Sequence, residues 1–105
     1  MKVQINTDSN IDGNEALDLE VEALVRDAID RFSDDLTRVE VHLSDENSSK
    51  KGGSVDIRCL IEARLRGLDP IVVTHHAATV DQATEGASRK MRDKLDTVLG
   101  KLGRR

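Results

Sequence analysis

The sequence predicts an α+β domain with the element order β-α-β-β-β-α, a four-stranded sheet carrying two helices on one face. Three patterns predict it: segments alternating apolar and polar residues, two segments whose apolar residues recur every three or four positions, and capping or turn residues between them.

Lys2, Val3, Gln4, Ile5 and Asn6 alternate at the two-residue period of a half-buried strand, and turn formers occupy Thr7 to Gly13. In Asp12-Gly13-Asn14-Glu15 a capping residue precedes a glutamate by three positions, which places a helix start near here. Leu17, Val21, Leu24, Ala28 and Phe32 then recur at helical spacing, widened by Val25 and Ile29, and make the core face of that helix. Its other side carries Glu15, Asp18, Glu22, Asp27 and Asp30 against Arg26 and Arg31.

Val39, Val41 and Leu43 alternate with Arg38, Glu40 and His42. Beyond residues 45–54 the alternation resumes, with Val55, Ile57, Cys59 and Ile61 against Asp56, Arg58 and Glu62. This predicts two antiparallel strands joined by a flexible polar hairpin loop at 45–54. Arg66-Gly67-Leu68-Asp69 turns into a strand at Ile71-Val72-Val73-Thr74, and Pro70, which cannot donate to a ladder, assigns that strand to an edge. Thr79-Val80-Asp81-Gln82 is a capping box. Val80, Ala83, Ala87, Met91, Leu95, Val98 and Leu102 follow at helical spacing, so a long second helix runs close to the C-terminus. Gly100 and Gly103 weaken its last turns and predict a frayed tail at 103–105. With one apolar face per strand, both helices pack on the same side, and Arg38, Glu40, His42, Arg58 and Glu62 lie on the open face.

A chain of 105 residues has material for one core, so residues 1–105 are read as a single domain. No apolar run approaches the roughly 20 residues of a membrane span, and the first residues contain no signal-peptide stretch, which predicts a cytoplasmic protein without a membrane partner. Cys59 is the sole cysteine, so an intrachain disulfide and a thiolate zinc site are excluded. Phe32 is the sole aromatic residue, which excludes a single-strand binder that stacks bases on aromatic rings. The net charge of −4 does not fit a generic basic nucleic-acid binder either. That average hides a division. Residues 1–48 hold 4 basic and 13 acidic side chains, a balance of −9, whereas residues 49–105 hold 12 basic and 7 acidic, a balance of +5.

The positive charge concentrates on the second helix. Lys90, Lys94 and Lys101 fall within a narrow sector along one border of its apolar stripe, and Arg92 lies on the opposite border with Arg89 nearby. Such a row can contact successive phosphates, or it can be a solvated face whose lysine stems cover apolar surface. Lys50 and Lys51 in the hairpin loop offer the same two readings. His75 and His76 are adjacent on a strand and so point to opposite faces, which prevents them from chelating one ion, and no metal-ligand spacing accompanies them or His42. Cys59 shares the apolar register of Ile57 and Ile61 and reads as core. No phosphate loop, nucleophile elbow or carboxylate pair is present, so the chain is not read as an enzyme and no cofactor, metal or small-molecule substrate is assigned.

The element order, the strand Val39-Glu40-Val41-His42-Leu43-Ser44 and the closing pattern from Ala83 and Ala87 through Met91-Arg92-Asp93-Lys94-Leu95 to Lys101 resemble one known family over almost the whole chain. It is the ribosome hibernation-promoting factor and ribosome-associated inhibitor family, also called sigma-54 modulation proteins. The resemblance implies a layout similar to a double-stranded RNA-binding domain. It implies a partner in the small ribosomal subunit, where the protein would occupy the messenger and transfer RNA channel and block translation under stress. It further implies that Lys90, Lys94 and Lys101, then Arg89 and Arg92, with Lys50 and Lys51 in addition, meet ribosomal RNA by shape and phosphate contact. The family's long form has a separate dimerisation domain after this one, so the resemblance is to the short form. The acidic first helix departs from the family pattern and keeps an alternative open: a protein-interaction module of the same fold that binds a basic protein through that helix.

Overall fold

The computed structural model of the chain describes residues 1–47 and 55–103. In order it contains β1 (Lys2–Thr7), α1 (Glu15–Ile29), a short 3-10 turn (Asp30–Phe32), β2 (Leu36–Asp45), β3 (Ile57–Leu65), β4 (Ile71–Ala77) and α2 (Val80–Lys101). The element order is the expected one. The strands lie in the order β1-β2-β3-β4, with β1 parallel to β2 and the other pairs antiparallel. A parallel pair cannot be joined by a tight turn, and α1 supplies the crossover. Of the predicted hairpin loop, Asp45 belongs to β2, Glu46 donates its backbone N–H to the Asp56 carbonyl at 2.8 Å, and residues 48–54 lie outside the described residues. Of the predicted tail, residues 104–105 lie outside them too.

Register explains the two faces of the sheet. Val39 is opposite Val3 and Ala63, Val41 opposite Ile5 and Ile61, and Leu43 opposite Thr7 and Cys59. Residues directly opposite share a face, so these positions form one apolar surface. Val21, Val25, Ile29 and Phe32 cover it from the α1 segment, and Ala83, Ala87, Met91, Leu95 and Leu99 from α2. On the open face Arg64 sits 3.2 Å from Glu62 and 3.9 Å from Glu40, which lies 3.5 Å from Arg38. Of these pairs only Arg64 with Glu40 crosses strands; Arg38, Glu40, Arg58 and Glu62 are half-buried, while His42 is exposed.

Three local expectations are corrected by packing. The α1 cap is Asn14, whose side chain accepts from the Leu17 amide at 2.8 Å, and not Asp12. Val21, Val25 and Ile29 are the fully covered residues of α1, whereas Leu17, Leu24 and Ala28 are half-buried, because those three lie on the flank toward α2 and not against the sheet. Leu99 of α2 is buried, whereas Leu102, the residue that ends the helix, is half exposed. The Thr79 cap holds as expected, with its hydroxyl 3.1 Å from the Gln82 amide.

The two helices run in the same direction. Glu20 interacts with Asp81 near the two N-termini, and Arg31 reaches Asp96 at 2.6 Å near the far end of α1. α2 approaches β4 closely at Gly86. His75 is opposite Cys59 and therefore on the covered face, and a Cβ at buried Gly86 would overlap its ring. Burial, followed by the charges of Lys90, Arg89 and His76, lowers the His75 pKa below its ordinary 6.5. Burial pushes the Cys59 thiol up to about 11, with the Thr84 hydroxyl pulling the other way, so it is an inert core residue.

Gly86→Ala is expected to lower the thermal midpoint even though alanine is favoured over glycine in a helix by about 1 kcal/mol. The same replacement in a His75→Ala background raises it, and a single variant at least as stable as the parent would refute the close approach. The unfolded chain takes up the His75 proton more readily than the folded one, so stability contributed by the neutral ring is lost as pH falls below 6.5. Melting curves across that window should show the loss, and His75→Gln should reduce it.

Candidate nucleic-acid interface

The predicted basic residues do not form one patch. α2 carries them on two flanks, because residues three to four apart share a flank while neighbours in sequence diverge by about 100°. Lys90 lies on the β4 flank, where its ammonium donates to the Thr74 carbonyl at 2.8 Å. That carbonyl is available because β4 is an edge strand. Lys94 and Lys101 are exposed and share the flank of Lys90 by helical spacing, with no ion pair among the described residues. Together they form a lysine edge beside β4.

Arg89 and Arg92 lie on the side toward α1. They line a groove of about 330 Å³ between the helices, together with Leu24, Asp27, Ala28, Glu85 and Ser88. Arg92 is half-buried and 3.6 Å from Asp93. Lys50 and Lys51 lie outside the described residues, so their place relative to the lysine edge is not described.

The acidic first helix is separated from that edge by the width of α2. The basic residues of α1 and of the turn after it are engaged: Arg26 with Glu22 at 2.7 Å, and Arg31 with Asp96. Glu20, which the sequence reading did not single out, meets Asp81 of α2. The Asp81 charge, then a hydrogen bond to Asp81, raise its pKa above the ordinary carboxylate value. The proximity depends on how the helix N-termini meet and has no local signature. Negative potential therefore lies at the N-terminal end of the helix pair and along α1, and positive potential lies along the far flank of α2.

The histidines separate as the two-residue strand period requires. His75 faces α2, and His76 faces the open side with its Nδ1 2.9 Å from an Asp56 oxygen. Among the described residues no group of three or more His, Cys, Asp or Glu side chains is placed to hold a metal ion, and no helix is long and apolar enough to cross a membrane.

Comparisons with known proteins give the lineage of this arrangement. The structure of the Thermus thermophilus Protein Y N-terminal domain aligns with a TM-score of 0.74 at 19% identity, covering 93% of this chain and 99% of that one. A ribosomal subunit interface protein from Coxiella burnetii aligns with a TM-score of 0.73 at 13% identity, covering 95% and 99%. At these identities the likeness is one of fold. No curated protein matches the chain. A family model described as sigma 54 modulation protein / S30EA ribosomal protein matches residues 3–103. With its strand order, helix placement and nearly full-length match, the chain belongs to the sigma 54 modulation protein / S30EA ribosomal protein family, a family of ribosome-associated proteins.

Proposed function

We propose that this protein is a ribosome-associated translation inhibitor that binds the small subunit in the messenger and transfer RNA channel, with the lysine edge of α2 against ribosomal RNA. One observation carries the reading: Lys90 is anchored at the β4 edge with Lys94 and Lys101 on the same flank, and α2 itself stands between them and the carboxylates of α1. An ammonium row along a helix matches a run of phosphates, and RNA duplexes are recognised largely by shape and backbone. A net charge of −4 keeps general attraction to nucleic acid weak, so affinity depends on placing this edge correctly. Lys50 and Lys51 extend the contact in this reading, Arg89 and Arg92 lie beyond the lysine edge on the other flank, and the protein acts in the cytoplasm with the ribosome. Binding, and not catalysis, is its activity.

A second reading has one observation in its favour. Leu19 is 62% exposed on the same helix as the α1 carboxylates, which suits a basic protein segment with an apolar anchor.

Sedimentation with small subunits across a salt series separates the two. Lys90→Glu, Lys94→Glu and Lys101→Glu combined should release the protein and, with three phosphate contacts removed, flatten the log–log salt slope by roughly two to three. Undiminished co-sedimentation of the triple variant would overturn the RNA contact. Release by charge reversal at Glu15, Asp18 and Glu22 alone would favour the protein partner.

A further inference from the structure

We propose that the groove between α1 and α2 is a binding site for a single guanosine nucleotide, with the phosphate on Arg89 and Arg92 and the Watson–Crick edge of the base on Asp27 or Glu85. The inference deepens the RNA-binding reading by naming a nucleotide, and it rests on that reading only for the ribosome as the source of the guanosine.

The groove measures about 330 Å³, at the lower end of small-molecule sites and suited to a ligand the size of a mononucleotide. Ser88 lines it, is 2% exposed, and its hydroxyl has no hydrogen-bond partner in the fold. A buried hydroxyl left unpaired is costly, and rotation of the Ser88 side chain to bring its hydroxyl to the groove would let a polar ligand atom remove that cost. The rim carries charges of both signs that do not satisfy one another. Asp27 on α1 and Glu85 and Arg89 on α2 line the same groove, yet none forms an ion pair among the described residues, and Arg92 reaches only Asp93 at 3.6 Å. Leu24 and Ala28 give the α1 wall an apolar surface.

This combination selects the ligand. The guanidinium groups call for a phosphate, which they bind through paired N–H donors. The carboxylates repel a bare phosphate or a continuous backbone, so the group between them must present donors. Guanine alone among the RNA bases offers two adjacent donors, N1–H and the N2 amino group, to the two oxygens of one carboxylate. Adenine and cytosine offer one amino group beside an acceptor, and uracil one N–H between two carbonyls. A base held by its edge against Leu24 and Ala28 needs no aromatic platform, in keeping with a chain whose one aromatic residue, Phe32, is fully buried. The nucleotide is one splayed out of a folded RNA or one free in solution, since both present the same groups.

Nuclear magnetic resonance titration of the full chain with GMP, AMP, CMP and UMP, and with the trinucleotides UGU and UAU, tests the proposal. GMP or UGU should shift the backbone amides of Ala28, Ser88 and Arg92 saturably and bind about tenfold more tightly than the probes lacking guanine. A preference for UGU over GMP identifies RNA as the source, and the reverse a free nucleotide. Asp27→Asn with Glu85→Gln, both at exposed positions, should abolish the guanine preference, while Asp69→Asn, at an exposed carboxylate between β3 and β4, leaves it unchanged. The proposal is overturned by shifts confined to Lys90 through Lys101 outside the groove, by equal binding of GMP and AMP, or by no saturable shift up to millimolar guanosine probe. Since these titrations contain no ribosome, such a result leaves small-subunit sedimentation to decide the broader function separately.

Discussion

The close approach of α2 to β4 at Gly86 is the constraint on which the charge arrangement of this protein depends. His75 stands on the covered face of β4 and occupies the space that a side chain at Gly86 would need. With no side chain there, α2 settles low enough on the sheet edge for the Lys90 ammonium to reach the Thr74 carbonyl. That contact covers part of an edge otherwise open to pairing and turns the lysine flank of α2 outward along β4. A bulkier residue at 86 would lift α2 and loosen the core beneath Ala83 and Ala87. Glycine in mid-helix is ordinarily unfavourable, and here its lack of a Cβ is what the packing requires.

The same packing divides the electrostatics. Parallel helices bring both N-termini to one end, where Glu20 and Asp81 meet, while Arg31 and Asp96 join the helices farther along. Carboxylates near a helix N-terminus suit its dipole, so their placement is locally favourable even where they repel across the helix pair. The acidic surface follows α1 and the basic edge follows the far flank of α2. A protein of net negative charge can therefore present one positive edge.

Much of the fold was legible because its signals are local. Alternation in Val39-Val41-Leu43 and Ile57-Cys59-Ile61, the Thr79 capping box and the proline before β4 each specify a backbone state from a few neighbouring residues. The first helix shows where such reading weakens. Its apolar stripe runs from Leu24 at one border through Val21 to Ile29 at the other, yet the sheet takes Val21, Val25 and Ile29 and leaves Leu24 and Ala28 to the inter-helix groove. Which part of a wide stripe is covered depends on where the second helix sits, and spacing along α1 carries no record of that. The candidate interface was legible in part for the same reason: the narrow sector of Lys90, Lys94 and Lys101 follows from helix geometry alone, whereas the Lys90 anchor and the Glu20–Asp81 pair join residues far apart in the chain.

By itself, then, the sequence determined the element order, the Thr79 cap, the faces of the strands and the flank each basic residue takes on its own helix, since all of these follow from periodicity and neighbouring side chains. Tertiary structure alone decided what each flank faces. It set the α2 lysines beside an edge strand, turned Arg89 and Arg92 toward α1, and brought Asp27 and Glu85 to one groove around the unpartnered Ser88 hydroxyl. The physical reason is that helix geometry fixes the angle of a side chain about its own axis, whereas the roll and height of that axis over the sheet are set by contacts such as Gly86 on His75.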